Sequence, residues 1–161
     1  MKPSASSCGW GIKIIGKKTH INKRSGHIVS KYINKPHTLR GFKYDLRIYV
    51  LVTCYDPLKV YLFEDGLVRM ATSEYNTSKG SLSQRFVHLT NFSVNKKSSN
   101  YVPNKNSADS DPSVTSKWSF KQLKQEYQKL GIDYDQVFDR IKDVIIKTLL
   151  SVETHIVTNM K

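Results

Sequence analysis

The alternation of apolar and polar positions divides the chain into short extended segments followed by helix. β-Branched runs at residues 12–15 (Ile-Lys-Ile-Ile) and 27–33 (His-Ile-Val-Ser-Lys-Tyr-Ile) predict two strands. Leu46 to Thr53 is the strongest strand signal in the chain. Asp56-Pro57 predicts a turn, Lys59 to Phe63 another strand, and Glu64-Asp65-Gly66 a tight hairpin into a strand from Leu67 to Thr72. Together these segments predict an antiparallel meander. Residues 95–117 are rich in Ser, Asn and Lys, contain Pro103 and Pro112, and read as a long mobile loop. Beyond it, Ser116 or Ser119 can cap a helix that runs to about Leu130 and ends at Gly131. Asp133 caps a second helix, with Gln136 in capping-box spacing. Val137, Ile141, Val144, Ile145, Thr148, Leu149 and Val152 form one apolar face at helical spacing, which is expected to face a core. Strands followed by helices predict an α+β or α/β layer, with the meander under the last helix and no internal repeat.

Composition narrows the class. At 161 residues with 39% hydrophobic and 24% charged positions, the chain suits one globular domain or a piece of a larger one. No apolar run is long enough for a membrane span, and no secretory segment opens the chain. The two cysteines, Cys8 and Cys54, cannot by themselves build a disulfide scaffold or a four-ligand zinc site, which points to a reducing compartment. The net charge of +13 is concentrated: residues 1–50 hold 11 basic residues against Asp45 alone. Such a segment suits an anionic partner (nucleic acid, nucleotide phosphates or an acidic polypeptide) or a plain solvated face.

Three segments could carry chemistry. The stretch Lys2-Pro3-Ser4-Ala5-Ser6-Ser7-Cys8-Gly9-Trp10-Gly11 places glycines and small residues where backbone N–H groups could approach a phosphate, although tight hairpins also need glycine. Along Lys43-Tyr44-Asp45-Leu46-Arg47, alternation puts Lys43, Asp45 and Arg47 on one strand face. Unpaired charge is costly to bury, so that face opens onto solvent, a salt bridge or a ligand, and Arg69 could join it. In His88-Leu89-Thr90-Asn91-Phe92-Ser93-Val94-Asn95-Lys96-Lys97, the Thr-Asn pair suits a phosphate, a carboxylate or an ordinary turn, while His88 reads as structural. No nucleophile elbow, zinc spacing or helix-borne His pair is present, and the aromatics show no RNA-binding cluster.

The order of these segments is similar to the tubulin tyrosine ligase-like family, nearest its polyglutamylase branch. The resemblance rests on Lys2 to Ile12, Val29-Ser30-Lys31-Tyr32-Ile33, Lys43 to Thr53, Tyr55-Asp56-Pro57-Leu58, Tyr61 to Thr72, His88 to Lys97 and Ile141 to Thr148. It implies a partial ATP-grasp catalytic domain over residues 1–161, an α+β fold truncated at both ends, with the 95–117 loop inside it. It also implies ATP and magnesium as cofactors. The chemistry would be ligation of free L-glutamate to glutamate side chains of tubulin tails through an acylphosphate.

By the same resemblance, Lys2 would contact nucleotide phosphates under a loop closing at Cys8 and Gly9. Ser30, Lys31, Tyr32 and Ile33 would form the hinge at adenine, and Lys43, Asp45, Thr90 and Asn91 would contact the nucleotide. Arg47 would lie beside the phosphates or the reacting carboxylate. Arg69 would hold the incoming glutamate, helped by Phe92, Ser93 and Lys117. The partners implied are acidic tubulin tails and microtubules rather than nucleic acid or membrane. The implied state is a cytoplasmic monomer on the cytoskeleton, including cilium and basal body.

Three departures qualify the match. Cys8 and Trp10 stand where the family often has arginine, and Ser30 where many members have glutamine. The family's metal ligands, an aspartate and a Glu-x-Asn after an apolar strand, are expected beyond Lys161. The chain is therefore expected to be an internal fragment or truncated gene model, inactive alone. The alternatives are a glycylase of the same family, a non-catalytic basic module for microtubules or acidic tails, and, more weakly, an RNA-binding domain.

Overall fold

The computed structural model describes residues 1–16, 21, 26–104 and 115–160. Its architecture is α+β, with three small sheets and two C-terminal helices. Strands β1 (Lys2–Pro3) and β2 (His27–Ile28) pair antiparallel, with Lys2 opposite Ile28. Strands β3 (Thr38–Leu39), β4 (Phe42–Arg47), β7 (Leu67–Glu74) and β8 (Lys117–Trp118) form a four-stranded sheet in the order β3-β4-β7-β8. Strands β5 (Val50–Tyr55) and β6 (Leu58–Leu62) form a separate hairpin, turned at a cis Asp56-Pro57 peptide. Short helices α1 (Arg85–His88) and α2 (Phe92–Asn95) follow a single 3-10 turn at Lys79–Ser81. Helices α3 (Phe120–Lys129) and α4 (Tyr134–Met160) complete the order.

The chain divides into two compact units, Met1–Leu46 with Val68–Lys117, and Arg47–Leu67 with Trp118–Lys161. In the first, Leu39, Val68, Met70, Ala71, Val87 and Val94 are buried among polar residues that find internal partners. Asn95, 1% exposed, is the clearest of these. Its carbonyl accepts from the Thr72 backbone and hydroxyl at 3.0 and 2.8 Å, and its amide donates to the carbonyls of Leu89 and Asn91. Arg40 and Gly41 both take positive φ (52° and 83°) in the two-residue turn between β3 and β4, the arrangement that matches strand twist.

In the second unit Phe120, Leu123, Tyr127 and Phe138 form an aromatic-rich core, with the Phe120 and Phe138 rings 5.1 Å apart. Ser119, rather than Ser116, caps α3 through a full capping box with Gln122. Asp133 accepts from the Gln136 backbone at the start of α4.

Several sequence expectations change here. The run 46–53 is not one strand: its ladder stops at Ile48 and Tyr49, and the chain changes sheet. Residues 64–66 are a crossing rather than a hairpin, because β7 pairs with β4 and β6 with β5. The Asp65 carboxylate fixes that crossing by accepting from Gly66 N at 2.7 Å and from Phe120 N, at the first turn of α3, at 2.9 Å. Alternation specifies a strand but not its neighbour. The expected strands at 12–15 and 27–33 shrink to a backbone pair between Met1 and Lys13 and to β2 alone.

Nor is the apolar face of α4 all core. Of its residues only Phe138 is buried, and Val144 and Val152 are 62% and 43% exposed. A 27-residue helix is about 40 Å long, and the short β5–β6 hairpin it packs against spans about half of that. The ends of the expected 95–117 loop are tied, since Ser116 N donates to Val102 O and Asn104 donates to Lys117 O. Its residues 105–114 lie outside the described residues. Among the described residues, no helix is long and apolar enough to cross a membrane.

Candidate functional site

The first unit carries a cavity of about 660 Å³, within the range of small-molecule sites. Apolar surface comes from Ile12, Ile14, Val29, Ile33 and Leu89, and positive charge from Lys2, Lys13, Lys31 and Lys43. Pairing of β1 with β2 brings Lys2 beside the 29–33 segment, and β4 delivers Lys43. Ser30, Lys31, Tyr32 and Ile33 all line this cavity, which therefore gathers Lys2, the expected hinge and Lys43. An apolar slot edged with lysines fits a flat base carrying phosphates.

Within that lining runs a hydrogen-bonded chain. His88, 3% exposed, meets the Ser81 carbonyl through Nε2 at 2.9 Å and the Tyr32 hydroxyl through Nδ1 at 3.0 Å. The Lys43 ammonium donates to that same hydroxyl at 3.2 Å and lies 4.8 Å from the Tyr32 ring centroid. Burial pushes the Lys43 pKa below its ordinary value, partly countered by Asp45. It also lowers the His88 pKa, with the Ser81 carbonyl opposing and Lys43 adding to the fall. The Tyr32 phenol is raised by burial and then by its hydrogen bond and charge interaction with Tyr75.

The glycine loop is held from behind. Cys8, Gly9 and Gly11 have φ of 58°, 77° and 72°. Gly9 is buried against α2 and its cap, where an added Cβ would meet Asn91 Oδ1 at 2.9 Å. Ser93 donates to the Cys8 carbonyl at 2.5 Å, Arg85 to the Gly9 carbonyl at 3.0 Å, and Lys97 lies over the Trp10 ring. Cys8 and Ser93 line a second cavity of about 400 Å³ rather than the first.

A third cluster joins β4, β7 and the 90–92 segment. Arg69 donates through Nε and an NH2 group to the two Asp45 oxygens at 2.8 and 2.9 Å, and Thr90 also donates to Asp45. Asp45 is thus engaged by Arg69 and Thr90, not by the lysine-edged cavity. Arg69, Thr90, Phe92 and Lys117 surround a space of only about 10 Å³, with the Lys117 ammonium 3.9 Å from the Phe92 ring centroid. Asn91, the cap of α2, sits against Gly9, and Arg47 ends β4 exposed, in the second unit.

Apart from Arg47, the expected residues therefore fall into three groups: the cavity, the loop anchor and the arginine cluster. Tyr75, Arg85 and Asn95 have structural parts that sequence reasoning did not assign, and His88, read as structural, has partners that it did not name. Asn95 and His88 stood inside a singled-out motif, but only their burial reveals the partners. Among the described residues, no three His, Cys, Asp or Glu side chains converge on a point where a metal could sit.

Comparison with known proteins accounts for the whole chain. The sequence model of the Tubulin-tyrosine ligase family matches residues 1–161. Tubulin monoglutamylase TTLL4 of Mus musculus is 45% identical over 161 residues, covering 100% of this chain and 13% of the mouse protein. Tubulin polyglutamylase TTLL5 of Homo sapiens is 43% identical over 164 residues, 100% of this chain and 12% of the human protein. Tubulin polyglutamylase TTLL7 of Xenopus tropicalis is 37% identical over 157 residues, 97% and 17% respectively. The chain spans about an eighth of the length of the first two. It belongs to the tubulin-tyrosine ligase family, with its similarity running to the glutamylases of that family.

Proposed function

We propose that this chain is part of an ATP-grasp catalytic domain in an ATP-dependent protein–glutamate ligase that modifies the acidic tails of tubulin in the cytoskeleton. The observation that carries the reading is the juxtaposition on adjacent strands: Lys43 lines the lysine-edged cavity, and Asp45, two residues on, holds Arg69. In this reading the cavity takes ATP, its base between the 30–33 segment and the apolar wall, its phosphates toward Lys2 and Lys43. Bound ATP supplies the phosphoryl group that activates the acceptor carboxylate.

The protein's own residues then have separable tasks. Lys43 offers the donors that Tyr32 leaves unused to a phosphate oxygen. Arg69, held by Asp45 along its Nε edge, keeps the outer donors of its guanidinium for the carboxylate of free glutamate. Thr90 and Asn91 brace the Asp45 cluster and the glycine loop. The magnesium of the family expectation has no carboxylate set among the described residues to hold it.

The test supplies full-length protein with ATP, magnesium, tubulin and labelled glutamate or glycine. Glutamate should be transferred in preference to glycine, and Arg69→Ala should cut kcat/KM for glutamate by about 10–100-fold, the worth of a bidentate charge-assisted pair. No transfer of glutamate, or transfer unaffected by Arg69→Ala, refutes the proposal.

A further inference from the structure

We infer that His88 is a positioning residue that fixes Lys43 at the cavity wall through the Tyr32 hydroxyl, an inference that rests on the nucleotide reading of that cavity. With a neutral imidazole the links through His88 have one direction, and the Tyr75 hydroxyl, which donates to the Asn34 carbonyl, is the other neighbour of the Tyr32 hydroxyl. A carbonyl only accepts, so the proton facing Ser81 sits on His88 Nε2 and leaves Nδ1 a lone pair. The Tyr32 hydroxyl donates to that lone pair and turns its oxygen to the Lys43 ammonium, which can only donate. Lys43 is thereby held at one of its three donors, and the other two remain for a ligand in the cavity. A lysine stem otherwise has wide rotamer freedom, so fixing it before binding favours a phosphate in one place.

The relay requires a neutral imidazole. Protonation at Nδ1 removes the acceptor for Tyr32 and sets a second cation beside Lys43. Of the groups that face His88, the Ser81 carbonyl favours that cation, while burial and Lys43 oppose it. The Tyr32 and Tyr75 rings stand near-perpendicular to the imidazole, each with a centroid distance of 5.7 Å. His88 borders the 660 Å³ cavity and a further one of about 330 Å³, and the other charged side chains lining these two are Lys2, Lys13, Lys31, Lys43 and Arg85, all cations. Nucleotide affinity should therefore weaken as His88 is protonated.

The test separates the two ring nitrogens in full-length protein. His88→Asn places a carbonyl near the Nδ1 position, whereas His88→Gln reaches toward Ser81 and gives Tyr32 no acceptor there. Tyr32→Phe breaks the relay without touching the buried imidazole. Two readouts apply: the rate of Lys43 acylation by an amine-reactive ester in ligand-free protein, and ATP affinity across pH 5–8.

His88→Gln and Tyr32→Phe should quicken Lys43 acylation and weaken ATP binding by about 3–10-fold, the effect of one hydrogen bond. His88→Asn should restore both to within about twofold of the parent. Parent affinity should fall as pH drops through the lowered His88 value, below the ordinary imidazole range, and His88→Asn should be flat there. Equal loss in the Asn and Gln variants, or Lys43 acylation unchanged in all three, overturns the inference. Parent protein that binds no ATP overturns the nucleotide reading, and the acylation rates then decide the relay alone.

Discussion

Neutralising Asp45 isolates the charge in the pair it forms with Arg69, because Asn keeps the shape of the side chain. Two hydrogen bonds of 2.8 and 2.9 Å join the groups in a fork, with the two side chains 20% and 33% exposed. An exposed ion pair contributes about 0.2–1 kcal/mol and a charge-assisted hydrogen bond about 1.5–3 kcal/mol. With a third of Asp45 open to water, the coupling should fall between, at about 1–2 kcal/mol. Urea unfolding of Asp45→Asn, Arg69→Gln and the double variant measures it as a double-mutant cycle. Partial burial also predicts that raised salt reduces the coupling by less than half. A coupling below about 0.3 kcal/mol, or one abolished by salt, refutes the view of Asp45 as the fixed anchor of Arg69.

Two further outcomes follow from local geometry. Gly66→Ala would bring a Cβ to 2.4 Å from both the Arg47 carbonyl and the Phe120 ring, and backbone cannot yield as a flexible side chain does. Thermal unfolding should show a loss of about 2–4 kcal/mol, against about 0.5 kcal/mol or less for Gly16→Ala, where a Cβ meets nothing within 4 Å. Acid should weaken the fold through His88: burial depresses its folded pKa below 6.5, so its contribution is whole above that pH and lost as pH falls toward the folded pKa. Urea midpoints measured between pH 7.5 and 5 should decline with a slope that His88→Asn reduces.

Local rules read from sequence succeed wherever the partner is near in the chain. Ser119 as one of the two candidate caps of α3, Asp133 with Gln136, and the helix stop at Gly131 all depend on contacts within a few residues. The shared face of Lys43 and Asp45 follows from strand alternation, and the approach of Arg69 needs only one correct strand pairing. The meander fails for a different reason. Leu46 to Thr53 is uniformly apolar enough to be a single strand, and only the packing of the Asp65 crossing onto the start of α3 decides where the sheets part.

The site divides the same way. Sequence order groups Lys2, the 30–33 segment and Lys43, but it cannot reveal that Asp45 turns to Arg69 or that Ser93 turns to Cys8. Those choices depend on contacts 24 and 85 residues apart. His88 looked like an isolated imidazole because its three neighbours come from three separate segments.

The glycine loop has one more consequence. Arg85, Asn91 and Ser93 all grip residues 8 and 9, so the loop cannot lift as a free flap. Any swing of residues 8 and 9 must carry residues 85–94 along as a single lever, and a shift of that lever would be felt at once by Thr90 and by His88. Two segments some eighty positions apart thus behave as one moving part. A substitution at either end of it should alter the other's mobility and, through His88 and Leu89, the wall of the 660 Å³ cavity.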